Sequence, residues 1–385
     1  MKKRTFALFI LLVAVFTILV AGYAEDHDKD KNKKKLIPYK LLTTIDIPGG
    51  LTGFDISWVD SESGRYYLAN RGNATATPPV GPSISVIDTK HNRFLYAIPL
   101  STAPNGVASI RRIRDDDDED APGTLVVGGG DSTTIFIDLA RPFAPPVTVS
   151  TGGNNRADEL AYDPVHHIVL IANDRDTPAP FVTFISTAGP PSVLGKIVYD
   201  GTSGNPQSTG GIEQPVWDGL TKRFYIAIPS TTANPNGEVD EINPATMKIT
   251  RVLPTTCGPA GLALIPGQHL MTSCGDVITI ATGAIVHVAG VGGDEIWFNR
   301  GDERVYFGGG VDRISVPVVS ALPPYNLMTT LVVGQILVPP PNAANHTTHS
   351  VAADSELNRI FVPVTHEGVK VYTDDRDNGR ERKDD

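Results

Sequence analysis

Runs with helical apolar periodicity are scarce in this 385-residue chain, which argues against a helical fold. Basic residues are outnumbered, 33 Lys and Arg against 43 Asp and Glu, and that balance argues against a nucleic-acid partner. No Cys-x-x-Cys-His is present to attach haem, no Gly-x-Ser-x-Gly to raise a nucleophilic serine, and no Gly-x-x-x-x-Gly-Lys to cradle a nucleotide phosphate. Long apolar runs are missing after residue 20, so no later segment is a membrane candidate.

What is present begins with an export signal. Lys2, Lys3 and Arg4 precede an apolar run over residues 5–20, and the small-residue stretch 21–24 predicts cleavage after Ala24. The run is also long enough to remain as an uncleaved membrane anchor, so that alternative stays open. Cleavage would take the formal net charge from −10 to −13, because the segment carries three positive charges. A secreted or periplasmic protein is expected. Residues 25–37 form a charged linker and residues 374–385 a charged tail, neither able to bury apolar surface.

Between them, residues 38–373 carry a short pattern seven times: a polar residue, about four mostly apolar ones, and often a closing Asp or Asn. Its copies open at Asp55, Asn105, Asp158, Glu213, Ala260, Asp294 and His349. A turn and a second β-rich run follow each copy, and further runs usually follow those. Four short strands per unit, punctuated by Gly, Pro, Asn and Asp, predict an all-β fold, a single seven-bladed β-propeller. The last unit lacks a fourth strand, and residues 41–47 form a spare β-type run before the first repeat. Pairing the two would close the ring, remove exposed sheet edges and favour a monomer. Irregular unit lengths leave six or eight blades as alternatives. The second unit is interrupted by residues 115–120, all acidic, read as a solvated loop or as a calcium loop lacking EF-hand spacing.

Pieces such as Asn105-Gly-Val-Ala108, Glu213-Gln-Pro-Val-Trp-Asp218 and His349-Ser-Val-Ala-Ala-Asp354 resemble the secreted propellers called YncE-like or YVTN-repeat proteins, over roughly residues 41–372. That resemblance implies a fold and not an activity. The inner-strand openings are also similar to those of the gluconolactonase and senescence-marker propellers. There, inner-strand Glu, Asn and Asp residues hold one divalent metal.

Ring symmetry carries the opening residues towards one mouth of the central channel. Asp55, Asn105, Asp158, Glu213 and Asp294 then form a donor set of the kind a hard divalent cation (Ca, Mg, Zn or Mn) takes, with His349 beside it. A solvated polar channel is the plain alternative, and a directly bound ligand a third. Loops leaving the second strands should bring Arg71, Arg175 and His366 to the same mouth. The arginines are candidate ligands for a carboxylate or phosphate, and His349 and His366 are candidate proton carriers. Glu159 and Glu295 follow the opening positions directly, so strand alternation turns them away, towards neighbouring blades. Trp58, Tyr162, Trp217, Trp297 and Phe298 fall within the inner-strand repeats and read as packing between blades. Cys257 and Cys274, the only cysteines, flank a hairpin turning near residues 266–268 and are expected to form a disulfide.

Two functions therefore stand side by side. One is an exported propeller binding a small molecule, an envelope component or a protein at the mouth of its channel, with or without a divalent cation. The other is a metal-dependent, lactonase-like hydrolase or lyase using the axial carboxylates.

Overall fold

A computed structural model describes residues 38–111, 123–337 and 345–374. The signal and linker over residues 1–37, the acidic residues 115–120 and all of the C-terminal tail except Asp374 lie outside them. The described residues contain strands and turns and no helix. None of their segments is therefore a helix long and apolar enough to cross a membrane.

The first strand, β1 (Tyr39–Ile45), is set aside by the chain for the last blade. Six complete four-stranded blades follow in sequence order. The first comprises β2 (Phe54–Asp60), β3 (Arg65–Asn70), β4 (Ser83–Asp88) and β5 (Arg93–Pro99). The second holds β6 (Pro104–Ile110), β7 (Thr124–Gly129), β8 (Thr133–Asp138) and β9 (Val147–Ser150). β10 (Leu160–Asp163), β11 (Ile168–Asn173), β12 (Phe181–Ser186) and β13 (Ser192–Val198) make the third. The fourth runs from β14 (Pro215–Asp218) through β15 (Arg223–Ile228) and β16 (Glu238–Asn243) to β17 (Lys248–Pro254). The short fifth consists of β18 (Leu262–Ile265), β19 (His269–Thr272), β20 (Asp276–Thr279) and β21 (Ile285–His287). β22 (Ile296–Asn299), β23 (Arg304–Phe307), β24 (Ser315–Ser320) and β25 (Leu327–Val332) form the sixth. In the seventh, β26 (Ala352–Asp354), β27 (Arg359–Val364) and β28 (Gly368–Asp374) receive β1 as their outer strand, antiparallel to β28.

The first strand of each blade packs against the first strand of the next, and β26 packs against β2. That closed cycle makes the chain a seven-bladed β-propeller with these strands around the axis. Second strands such as β11 are buried along their whole length, because both their faces meet a neighbouring blade. Outer strands such as β17 alternate between exposed positions and half-buried or buried ones. Seven apolar clusters form the core of the described residues, each lying between two adjacent blades. One example is the packing of Phe184 from β12 with Phe224 and Ile226 from β15.

Two glycines let the inner strands approach closely. A Cβ on Gly106 would lie 2.1 Å from the Asp158 carbonyl, and one on Gly261 would lie 2.4 Å from the Asp294 carbonyl. These contacts explain the residue after the opening position in Asn105-Gly106 and Ala260-Gly261.

Closure is fastened from blade six. Arg304 donates to the Asp374 carboxylate at 2.9 Å and to the Tyr39 hydroxyl at 2.5 Å, tying both strands of the closing pair to β23. Tyr39 and Tyr306 also share a 2.8 Å hydrogen bond. Asp374, expected to open the charged tail, is instead a buried residue of β28.

A disulfide joins Cys257, in the loop between β17 and β18, to Cys274, just after β19, with the Cα atoms 5.9 Å apart. It braces the shortest blade across the hairpin that turns through Pro266, Gly267 and Gln268. Replacing both cysteines by serine should lower the unfolding free energy by about 2–4 kcal/mol, measured by urea denaturation. Equal stability of the two proteins would show that the bridge contributes nothing to the folded ring.

Candidate functional site

The inner strands start at one end of the axis, and their opening residues meet there. Asp55 is the second residue of β2 and Asn105 the second of β6, while Asp158, Glu213 and Asp294 each stand two residues before β10, β14 and β22. Asp55, Asn105, Asp158 and Glu213 are buried.

Arginines hold this set together. Arg71, one residue past β3, bridges blades by donating to the Asp55 carboxylate and to Asn105 Oδ1, the latter at 2.6 Å. Arg156 reaches Asp158 and Asp174 at 2.8 Å and Asp55 at 3.3 Å, so one guanidinium serves three carboxylates. Arg175 spans Asp174 at 3.7 Å and Glu213 at 3.6 Å. Arg313 lies 3.3 Å from Asp294. His349 brings its Nε2 within 3.2 Å of Asp55, and its ring is stacked on Phe54 with centroids 4.7 Å apart.

The charges follow from this geometry. Burial works against ionisation of Asp55, yet the His349 hydrogen bond and the Arg71 and Arg156 cations hold its carboxyl below the usual range. Asp158 goes the other way, pushed well up by burial and by repulsion from Asp55. Glu213 is raised to about 7 by burial and by the negative charges of Asp174 and Asp294.

A deeper pair of acids lies behind the ring. Glu295 accepts a short hydrogen bond from Ser350 of the next blade, as the alternation of the strand suggests, and burial drives its carboxyl well up. Glu159 is raised well above the carboxylate range by burial and by Asp158. Among the described residues, Asp158 Oδ1 and Glu159 Oε2 are buried oxygens with no hydrogen-bond partner.

Sequence reasoning missed Arg156 and Arg313, whereas Asp174 lies in the loop over residues 173–175 that the sequence places at the mouth. Arg313 carried a readable signal, since it too lies in a loop after a second strand, where Arg71 and Arg175 were sought. Arg156 precedes its repeat and carried none. The His366 amide donates to the Leu51 carbonyl at 2.6 Å, and its ring lies 6.0 Å from that of His346. His166 and His167 have separate partners, Asp163 and Tyr162.

Cations of the chain itself already neutralise several of the axial donors. Guanidinium groups of Arg71 and Arg156 already lie between Asp55, Asn105, Asp158 and Asp174. Among the described residues, the one set of three or more His, Cys, Asp or Glu residues with ligand atoms within 4.8 Å of one another is Cys257, Asp276 and His287. That set lies in blade five, and the Cys257 sulfur is taken by the disulfide.

No family model matches the chain, and no curated protein matches it. Its fold is shared by 1251 similar chains of solved structures, so the likeness singles out no activity. One of these, from the "Crystal Structure of Mitotic Checkpoint Complex", is 13% identical. The similarity covers 87% of this chain and 91% of that chain at a TM-score of 0.60, which shows the fold alone.

The raised acids set a pH dependence. Glu213 titrates near 4.5 when unperturbed and about 7 in the fold, so the native state binds its proton more tightly between those values. The stability this contributes is complete below 4.5 and is lost as pH rises through about 7. The unfolding free energy should therefore fall over that interval, by at most about 1.4 kcal/mol per pH unit for one proton. Glu213→Gln should flatten the slope in denaturation series run at several pH values. An unchanged slope would remove Glu213 as its source.

Proposed function

We propose that this propeller is an exported binding protein that holds a small polar molecule, bearing a carboxylate or phosphate, at the mouth where its inner strands begin. The observation carrying this reading is the set of four arginines there, each backed by carboxylates and still open to solvent. Side-chain exposure is 35% for Arg71, 34% for Arg156, 71% for Arg175 and 59% for Arg313. Arg71, Arg175 and Arg313, each held along part of the guanidinium, keep further N–H groups in a planar fork suited to an anion, whereas Arg156 is occupied by its three acids. Fixing those groups beforehand also reduces the ordering cost of binding. Export is supported by the signal-like N-terminus, the disulfide and the resemblance to secreted YVTN-repeat propellers.

A second reading, the lactonase-like hydrolase or lyase, draws on Glu213, whose carboxyl sits near neutrality where a general acid or base works best. A bound divalent cation is the rival proposal for the ring. It predicts stoichiometric metal in protein purified without chelator.

Calorimetric titration with galacturonate, citrate and inorganic phosphate tests the binding reading. At least one should bind, and Arg71→Ala and Arg175→Ala should each weaken it tenfold or more, about 1.4 kcal/mol. Binding by none of the three, or binding untouched by both substitutions, would overturn it.

A further inference from the structure

The other end of the channel has a different chemistry. Trp58 lies three residues beyond Asp55 on β2, about 10 Å further along the strand. Trp58, Tyr162, Trp217, Trp297 and Phe298 line a cavity of about 690 Å³ enclosed mainly by β10, β14, β18 and β22. That volume falls within the roughly 300–1,000 Å³ of ligand pockets. The sequence suggests packing between blades for these rings. They do pack against the interblade clusters, but each remains half-buried and turns part of its surface to the cavity.

The rings are held rigidly. Trp58 meets Trp297 edge-on with centroids 5.0 Å apart, and its Nε1 donates to Ser109 at 3.0 Å. Trp217 is set edge-on to Phe224 at 4.9 Å. Gln214, Gln268, Arg300 and Glu303 add planar polar groups to the lining. Gln268, Arg300 and Glu303 stand on the turns between first and second strands, so the cavity opens at the end opposite the arginine mouth.

We propose that this cavity is a saccharide site. A pyranose offers C–H faces to the indole rings and hydroxyls to the Gln214 and Gln268 amides and to Arg300. Part of that lining is already engaged, Gln214 Oε1 accepting from the Leu262 amide at 2.7 Å and Gln268 Nε2 donating to Asp218 at 3.4 Å, so the Gln214 amide nitrogen, the Gln268 amide oxygen and Arg300 are the groups left to meet the hydroxyls. An organic cation would find, among the cavity-lining residues, Glu303 as its one carboxylate, on a turn at the rim.

The chain has three tryptophans and all three line this cavity, so its indole emission reports on this site and not on the arginine mouth. Emission should change saturably on titration with at least one of maltotriose, cellotriose and chitotriose. Arg300→Ala, at an exposed turn, and Trp217→Ala should each weaken that binding at least tenfold, while Trp217→Phe, which keeps a ring, should restore part of it. Citrate should not displace the saccharide, which separates this site from the arginine mouth. No saturable change with any of the three, a change that survives both alanine substitutions, or saturation by tetramethylammonium instead would overturn the proposal.

Discussion

Closing seven blades into a ring brings the first residues of seven inner strands towards one axis, and the chain supplies that axis with acids. Asp55, Asp158, Glu213 and Asp294 arrive there from the ring positions, with Asp174, Glu159 and Glu295 close by. Carboxylates gathered in a buried volume must be paired or protonated, because an isolated charge out of water costs several kcal/mol. Both solutions occur here. Arg71, Arg156 and Arg175 pair Asp55, Asp174 and Glu213, while Asp158, Glu159 and Glu295 have their carboxyls driven well up. The arginines thereby acquire fixed positions, which is what makes them suitable for recognising a ligand.

The same closure divides the channel into two ends. Inner strands begin in mostly charged residues at one end, carry aromatic rings along their length, and run at the other end into turns bearing Gln268, Arg300 and Glu303. A chemically asymmetric channel through a rigid ring can host two unlike ligands without either competing for the other's contacts. Rigidity itself comes from the interblade clusters and from the Arg304, Tyr39 and Asp374 contacts that hold the closing pair.

The blade count, the closing strand and the disulfide were legible because each rests on local signals: apolar runs, turn residues and the position of two cysteines around one hairpin. Convergence of the opening residues was legible from ring symmetry. Less readable was what neutralises them. Arg156 lies 18 residues from Asp174 and 101 from Asp55, and nothing near it in the chain announces those partners. Asp374 read as tail because charged residues surround it, although its partner Arg304 lies 70 positions away. The aromatic residues were placed correctly on inner strands, but their second role was hidden. A large ring packed between blades still shows an edge to the channel.

The central claim is that guanidinium–carboxylate pairing holds the axis, with Arg156 serving three acids at once. The most direct test is the unfolding free energy of Arg156→Met at neutral pH, compared with the unmodified protein. Methionine preserves most of the side-chain volume and removes the charge, so the account predicts a loss on the order of 3–5 kcal/mol. Unchanged or increased stability would contradict it, and would mean that the axial acids are neutralised by something other than Arg156.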